Sequence, residues 1–436
     1  MVADETQDQA SPPQLRMSRR SLLSVSKLAA PLLFTQFMPP FFLYIGIGSS
    51  LAAGTAVAIA VILVVFYATS AGSTWNTVSG GRVFHYGPLL FAAFCFLVVI
   101  PHAAVSAHFQ SIDIARLLKT TPLLFLLIAG AAALGRLLLE APNPEFKTTL
   151  SLSFGLLGTS LLLKLFGLEP LSNIYGKPMF PFTEISHFVL AFVPIFLYRV
   201  VTCTRGATAG WLAFGFGVAF GLQSMTLLIA CILAAIVCRR ILAVSLAGLL
   251  LVVGIVPLKL DYFISRLDLT SSSDNISSLV YVQGWQLLWE SWTRTFGWGV
   301  GFEQLGGHGT HVTAADALAL LLEGSGLEAL NLSDGSFVFA KLTGEMGIFG
   351  LLLSAVFVIA TVRSIRTLRG LRTAERPVIT FARCVLVGFC IDMFVRGTGY
   401  FVGSTLLAIS AFSILINQPD RRTRFLDMAR TIIDAT

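Results

Sequence analysis

Arg266, Arg396, Arg116, Lys119, Arg294 and Lys341 are cations set beside or inside hydrophobic runs, where a charge is costly to keep. Arg266 follows closely on an apolar segment that ends near residue 257, which puts it at the depth of lipid headgroups. A guanidinium there can grip phosphate oxygens through two parallel hydrogen bonds. Pairing with Asp261 or with a headgroup is the competing reading. Arg396 opens Arg396-Gly397-Thr398-Gly399-Tyr400, and a charge beside glycine-rich backbone suits ligand contact, against simple snorkelling to the interface. Arg116 and Lys119 precede another apolar run and could hold a second phosphate group or serve as interfacial anchors. Arg294 reads as a surface or headgroup contact, with a ligand role as the alternative. Lys341 and Glu345 stand four residues apart inside an apolar run, so they share one helical face as a functional pair or a structural ion pair.

Carboxylates supply the complementary chemistry. Asp334, in Asn331-Leu332-Ser333-Asp334-Gly335-Ser336, can take a proton from a hydroxyl or cap the helix that follows. Glu303, two residues after Gly301, is the alternative base. His308 and His311, with Asp316 nearby, are metal-capable side chains. The glycine between the two histidines predicts a flexible loop that does not hold both rings together. No metal and no cofactor is expected, which leaves ligand contact, acid–base contact or plain loop polarity. His187, shortly after Glu184 in an apolar run, reads as a packed, hydrogen-bonded histidine. Gly297-Trp298-Gly299-Val300-Gly301 lacks a following Lys-Ser/Thr, so it is a tight turn at the membrane surface and not a nucleotide loop.

Membrane-spanning helices have to position these residues. The 436-residue chain is 55% hydrophobic and 12% charged, where a soluble chain carries about 25% charged residues. Apolar runs of about 20 residues recur along it, the length that crosses a bilayer. The fold class is therefore an all-α polytopic membrane protein. Twelve spans fit, at 29–48, 51–70, 87–106, 120–140, 148–167, 185–201, 207–221, 222–238, 241–257, 337–360, 378–396 and 399–417. The pair between Ala207 and Cys238 is short enough to be one long kinked helix, and Pro39 and Pro40 predict a bend in the first span. The organisation is a tail at 1–28, nine spans within 29–257, a long loop at 258–336, three spans within 337–417 and a tail at 418–436. The N-terminal segment lacks a small-residue cleavage site and reads as a retained first helix.

Net charge is +7. The basic clusters Arg239-Arg240, Arg363 to Arg376 and Arg421 to Arg424 follow the positive-inside pattern, so the charge speaks for orientation and excludes a nucleic-acid partner. Both termini are expected in the cytoplasm and the long loop outside it, in the periplasm if the source is bacterial. The loop is acidic, with nine carboxylates against Lys259, Arg266 and Arg294. Within it, Tyr281, Trp285, Trp289, Trp292 and Phe296 recur at helical spacing and predict an interfacial helix with its aromatic face toward lipid, sugar stacking being the lesser alternative. Thr313 to Leu330 predicts a second amphipathic helix. The six cysteines lie in or beside apolar runs, with no metal-ligand spacing and no disulfide framework.

Five groups follow one another in the last third: Ser277-Ser278, then Trp285, then Gly297-Trp298-Gly299-Val300-Gly301, then Asp334-Gly335-Ser336, then Glu345-Met346-Gly347-Ile348-Phe349-Gly350. In order, spacing and topology this region resembles the bacterial O-antigen ligase and polysaccharide polymerase superfamily, multispanning enzymes with one large periplasmic loop between late helices. Leu222-Gln223-Ser224-Met225-Thr226 sits where that family often has Ser-Arg or Ser-x-Thr opening a helix. Tyr281 stands where the family often has Arg, Ser336 where ligases usually have His, and Met225 where the Ser-Arg version has Arg. These departures weigh against a ligase and favour a polymerase.

The resemblance implies a bacterial inner-membrane enzyme acting on polyprenyl-diphosphate-linked oligosaccharide, with inversion at the anomeric carbon. Exopolysaccharide is the preferred product. A flippase and a chain-length regulator are implied as neighbours, and membrane lipids as surroundings. Such chemistry needs a cation at the diphosphate and a base at the acceptor hydroxyl. Arg266, Arg396, Arg116, Lys119, Arg294 and Lys341 are the candidates for the first role, with His308 and His311 as glycan contacts. Asp334, Glu303 and Glu345 are the candidates for the second. Ligase transfer to another lipid is the alternative, and a lipid-linked oligosaccharide flippase the rival of another class.

Overall fold

The computed structural model describes residues 19–47, 50–71, 93, 96–168, 179–238, 260–271, 273–307, 312–323, 336–370 and 375–417. The protein is helical, and the described residues contain no β-strand beyond an isolated bridge between Met179 and Phe182. In chain order the helices are α1 (Arg19–Tyr44), α2 (Ala52–Ala71), α3 (Phe96–Ser106), α4 (Ile114–Glu140), α5 (Asn143–Leu165), α6 (Ile185–Thr202), α7 (Arg205–Gly221) and α8 (Met225–Val237). They continue with α9 (Leu260–Ser265), α10 (Ile276–Arg294), α11 (Thr313–Leu321), α12 (Val338–Gly370), α13 (Pro377–Phe394) and α14 (Gly403–Ile416). Six are long and apolar enough to cross a membrane: α2, α4, α5, α6, α12 and α13. Four shorter apolar helices, α3, α7, α8 and α14, accompany them. The expected span at 241–257, residues 1–18 and the C-terminal tail lie outside the described residues, as do His308, His311 and Asp334. Helix α1 begins at Arg19, inside the segment expected as an N-terminal tail over 1–28.

Helix α13 is the hub. Its apolar window is 83% buried, against 28% for α2 and for α12, whose Leu352, Leu353, Val356 and Ile359 face outward. This contrast is what a bilayer permits, since apolar side chains facing lipid cost nothing. Around α13 pack α6, α12 and α14, with α4 against α14 and α1 between α2 and α5. Phe188, Phe192 and Phe196, one helical turn apart, stack at 5.3 and 5.4 Å and make α6 a rigid buried spine.

Helices α7 and α8 are separate, not one kinked helix. Gln223 takes a left-handed φ of 50°, and the Ser224 hydroxyl accepts the Leu227 N–H at 3.3 Å to start α8 afresh. The loop after residue 260 is not a free-standing domain. Helix α10 packs on α11 and α12, with Tyr281 stacked on Phe337 at 5.0 Å and Trp285 against Phe337 and Phe339. The expected aromatic face is thus divided: Tyr281 and Trp285 contact Phe337 and Phe339 around the start of α12, while Trp289, and Phe296 just beyond α10, are 70% and 89% exposed. The second loop helix is described only over Thr313–Leu321.

The feature that fixes the loop is a break in α12. Gly347 has φ 56° and ψ −130°, which interrupts the helix and frees backbone groups on either side. The turn Gly297 to Gly301 fills the break. Val300 and Gly301 donate their N–H groups to the carbonyls of Gly344 and Glu345 at 3.1 and 2.9 Å, and Ile348 donates to Gly297 at 2.9 Å. Ser291 adds a hydroxyl donor to the Gly344 carbonyl. A Cβ on Gly347 would lie 2.1 Å from the Gly297 and Trp298 carbonyl oxygens, and one on Gly299 would lie 2.4 Å from that of Glu345. Only glycine allows this approach, so the sequence-predicted surface turn is a plug in a broken helix.

Gly347→Ala combines this clash with a backbone region that costs about 1–3 kcal/mol for a side-chain-bearing residue. It is expected to lower the unfolding temperature in detergent sharply, or to abolish folded protein. Gly155→Ala, on the exposed face of α5 with no atom within 4 Å of the new Cβ, should be neutral or stabilising by up to about 1 kcal/mol. Equal behaviour of the two variants in thermal unfolding would show that the plug contributes nothing.

Candidate functional site

Two polar clusters lie along the connection between α13 and α14, residues 395–402. The first is centred on Glu303, which the Gly297–Gly301 turn carries into the bundle with φ 59°. Its carboxylate bonds Arg116 Nη2 of α4 through Oε2 and Lys341 Nζ of α12 through Oε1, each at 3.0 Å. Glu303 is 6% exposed and Lys341 4%. Burial alone would raise the Glu303 carboxyl, but Lys341 and then Arg116 pull it below the usual carboxylate range. Gln304 fixes the same turn to α4, accepting the Asp113 N–H at 2.8 Å. Glu345, one turn from Lys341 and fully buried, accepts the Tyr400 hydroxyl at 2.9 Å and the Leu305 N–H at 3.4 Å. Tyr400 stacks on Phe302 at 5.4 Å, and Lys341 Nζ stands 5.1 Å from its ring centroid. Burial, and after it the negative charges of Glu345 and Glu303, push the Tyr400 hydroxyl well above its ordinary value.

The second cluster joins Arg396, Glu184, His187, Arg266 and Tyr262. Arg396 Nη2 donates to Glu184 Oε2 at 3.0 Å. Helix α13 ends at Phe394, and the Arg396 N–H turns back to the Ile391 carbonyl at 2.8 Å. The next residue, Gly397, donates its N–H to the Ser336 carbonyl at 3.1 Å, which ties this connection to the start of α12. Burial would raise Glu184, but Arg396, His187 and a Ser186 hydroxyl bond outweigh it and hold the carboxyl at about 2. His187 shares a 2.8 Å hydrogen bond with the Thr183 hydroxyl through Nδ1. Arg266 stacks over Tyr262 with its guanidinium carbon 4.7 Å from the ring centroid. Its Nε is buried without a hydrogen-bond partner, and no carboxylate among the described residues forms an ion pair with it. Burial first, then the like charge of Arg396, lowers the Arg266 value. A guanidinium in this state has donors to spare for an anion.

The sequence candidates therefore divide. Arg116, Glu303, Lys341 and, through Tyr400, Glu345 come together. Arg266 and Arg396 form a second group with Glu184, a residue that sequence reasoning passed over. Lys341 finds its carboxylate in Glu303 from the loop, where the sequence suggested Glu345 on its own helix. Glu303, expected as an alternative base, stands between two cations. Arg116, expected at a second phosphate, bonds Glu303 and keeps 29% of its side chain exposed. Lys119 is exposed on α4 and outside both clusters. Arg294 pairs with Glu290 at 3.3 Å and donates to Gln110 Oε1, so it ties α10 to the segment after α3. His102 was also missed. Its ring stacks on Trp298 at 5.1 Å and its Nε2 contacts the Trp298 carbonyl at 2.8 Å, locking the glycine turn onto α3. The available signal was a lone His in an apolar run, which does not name a partner.

The chain matches no family model, no curated protein and no solved structure.

Glu303→Gln removes the anion between two cations, one of them deeply buried. It should cost about 3–5 kcal/mol in folding stability, as breaking a buried pair from one side does. Lys341→Met added to Glu303→Gln should recover part of that loss. Chemical denaturation of the four proteins in one detergent checks this, and purely additive losses would refute the pairing. Acid reports on Glu184. Its folded value of about 2 lies below the ordinary 4.5, so its stabilisation is complete above the ordinary value and lost as pH falls toward the folded one. The Glu184 side chain keeps 47% of its surface, so solvent screens the pair and the effect is small. The difference in unfolding temperature between wild type and Glu184→Gln should be constant from pH 7 to about 5 and shrink below it.

Proposed function

We propose that this protein is a membrane glycosyltransferase that joins polyprenyl-diphosphate-linked oligosaccharide repeat units into a polysaccharide, preferentially an exopolysaccharide, at the periplasmic face of a bacterial inner membrane. In this reading the chain crosses the membrane twelve times with both termini cytoplasmic. The observation that carries the proposal is the grouping of Arg266 and Arg396 beside the loop, with no described carboxylate in ion-pair contact with Arg266 and its buried Nε unbonded. Two adjacent guanidinium groups are a poor arrangement for stability and a good one for a diphosphate, whose oxygens accept bidentate bonds from each.

The reaction requires little else from the protein. The hydroxyl oxygen of one repeat unit bonds to the anomeric carbon of another, and the bond from that carbon to the diphosphate oxygen breaks. The electron pair leaves with the diphosphate, where Arg266 and Arg396 stabilise the developing charge. Glu184 orients Arg396. The hydroxyl proton passes to a base, for which Asp334 is the candidate, since Glu303 is neutralised by its two cations. No nucleotide is consumed. A flippase and a chain-length regulator remain the implied partners.

Transfer of finished glycan to an acceptor lipid uses the same leaving group and is the alternative. A transporter reading would draw on the broken helix α12, because discontinuous helices hold substrates in transporters. Here the backbone groups around the break bond to the Gly297–Gly301 turn, so the break offers no ligand site.

The test is purified protein in liposomes with synthetic polyprenyl-diphosphate repeat units and no nucleotide sugar, read as product length on a gel. Wild type should give a ladder. Arg266→Ala and Arg396→Ala should each reduce it by about 100-fold or more, the usual loss for a group that stabilises transition-state charge. Absence of lengthening with several repeat structures would overturn the polymerase reading.

A further inference from the structure

A small cavity of about 40 Å³ lies between α1, α6 and the start of α14, bordered by Thr35, Gln36, His187, Thr398 and Ser404. A water molecule needs about 10–15 Å³ of such space, so the cavity suits a small ion or a few waters and no sugar. Gln36 is 4% exposed, and both its amide nitrogen and its amide oxygen lack a hydrogen-bond partner. A buried primary amide with neither end satisfied is costly, so its presence in the wall of a cavity points to a ligand.

The surrounding groups say which ligand. Pro39 and Pro40 also border the cavity. Neither has an N–H, so the carbonyls of Thr35 and Gln36, four residues earlier in α1, have no helical donor. Gly403, the first residue of α14, approaches the Thr35 carbonyl so closely that a Cβ there would lie 2.0 Å from it. Ser404, which borders the cavity, donates its hydroxyl to Asp392 Oδ1 at 2.7 Å, so its own oxygen remains an acceptor. Asp392 is 2% exposed inside the crossing helix α13, and no cation among the described residues pairs with it. Glu184 and Arg396, the charged groups that act on the lining residue His187, pair with each other, and the His187 ring is tied to Thr183.

The donor set is thus all oxygen apart from His187: an amide, hydroxyls and helix carbonyls, with one carboxylate behind Ser404. Hard cations take such ligands, and a single carboxylate offsets a single positive charge. The carbonyls of α1 that Pro39 and Pro40 leave without an N–H donor add to this oxygen set. We propose that this cavity binds one monovalent alkali cation of the sodium class, held by Gln36, Ser404 and the α1 carbonyls and balanced by Asp392. The ion would tie α1 to the 398–404 segment, whose preceding residues carry Arg396. The proposal is independent of the glycan chemistry, because binding is read without any glycan.

The experiment uses the full-length protein in detergent, unfolded thermally in sodium, lithium, potassium or choline chloride at one ionic strength, together with equilibrium binding of radioactive sodium. A saturable rise of several degrees in sodium or lithium over choline is expected, with one ion bound per chain. Asp392→Asn should abolish both signals. Gln36→Leu and Ser404→Ala should raise the half-saturating concentration at least tenfold, and they decide the matter if the Asp392 variant does not fold. Equal unfolding temperatures in all four salts would overturn the proposal. So would an unchanged ion response in the folded variants. Stabilisation in choline that depends on pH alone would show that the site takes a proton in place of a metal ion, and that too would overturn it.

Discussion

Helix α12 cannot continue through Gly347, and most of what surrounds the candidate site follows from how that break is filled. A backbone interruption in an apolar setting leaves donors and acceptors that water cannot reach, each costing several kcal/mol if unanswered. The Gly297–Gly301 turn answers them with its own backbone. The side chains attached to that turn are thereby placed with little freedom. Glu303 follows two residues after Gly301 and meets Arg116 and Lys341, while Trp298 meets His102. The loop is therefore part of the bundle, anchored by main-chain bonds in a low-dielectric region where such bonds are strong.

Several helices were legible in the sequence because a bilayer imposes a length and a polarity on each one, although α1 starts at Arg19 where 29 was expected and α12 runs to Gly370 where 360 was expected. The expected 185–201, 207–221 and 378–396 correspond within two residues at each end to α6, α7 and α13. The α7–α8 division turned on one residue, Gln223, whose left-handed backbone no periodicity reveals. The role of the glycines was partly legible. Gly297, Gly299 and Gly301 announced a turn, and Gly347 lay in a helix motif, but nothing in either segment says that one fits into the other. The same limit applies to the charges. Arg116 and Glu303 are 187 positions apart, and Arg396 and Glu184 are 212 apart. Hydropathy identifies a costly charge without naming what compensates it, because the compensation is tertiary. Lys341 illustrates this: helical spacing points to Glu345, which does feel its charge, but nothing in the spacing announces the 3.0 Å bond to Glu303 from the loop.

Tyr400 and Arg396 belong to one short connection, and this links the two clusters mechanically. The hydroxyl of Tyr400 bonds Glu345 at the broken helix, and Arg396 bonds Glu184 at the start of α6. Between them Gly397 lies against Phe337, where a Cβ would meet backbone at 2.8 Å. The connection thus has little room to move independently of α12. A displacement of the plug would be felt at Arg396 through a few close contacts of main chain and buried polar groups, with no need for a long chain of side-chain rearrangements.

The cations at this end of the protein differ in what they have already spent. Arg116 and Lys341 share Glu303, and Arg294 has Glu290 and Gln110. These groups have their protein acceptors, and losing one would leave a buried opposite charge exposed to the cost that the pair removes. Arg266 is half-buried, has an aromatic ring for its face, a second guanidinium as neighbour and a buried nitrogen with nothing to donate to. Folding gains little from keeping an arginine there, since a neutral residue would avoid both desolvation and repulsion from Arg396. The balance changes once an anion with several oxygens is present, because the repulsion between two guanidinium groups then becomes shared attraction to one ligand. Among the described cations of the loop, Arg266 is the one without an ion pair, whereas Arg294 has Glu290.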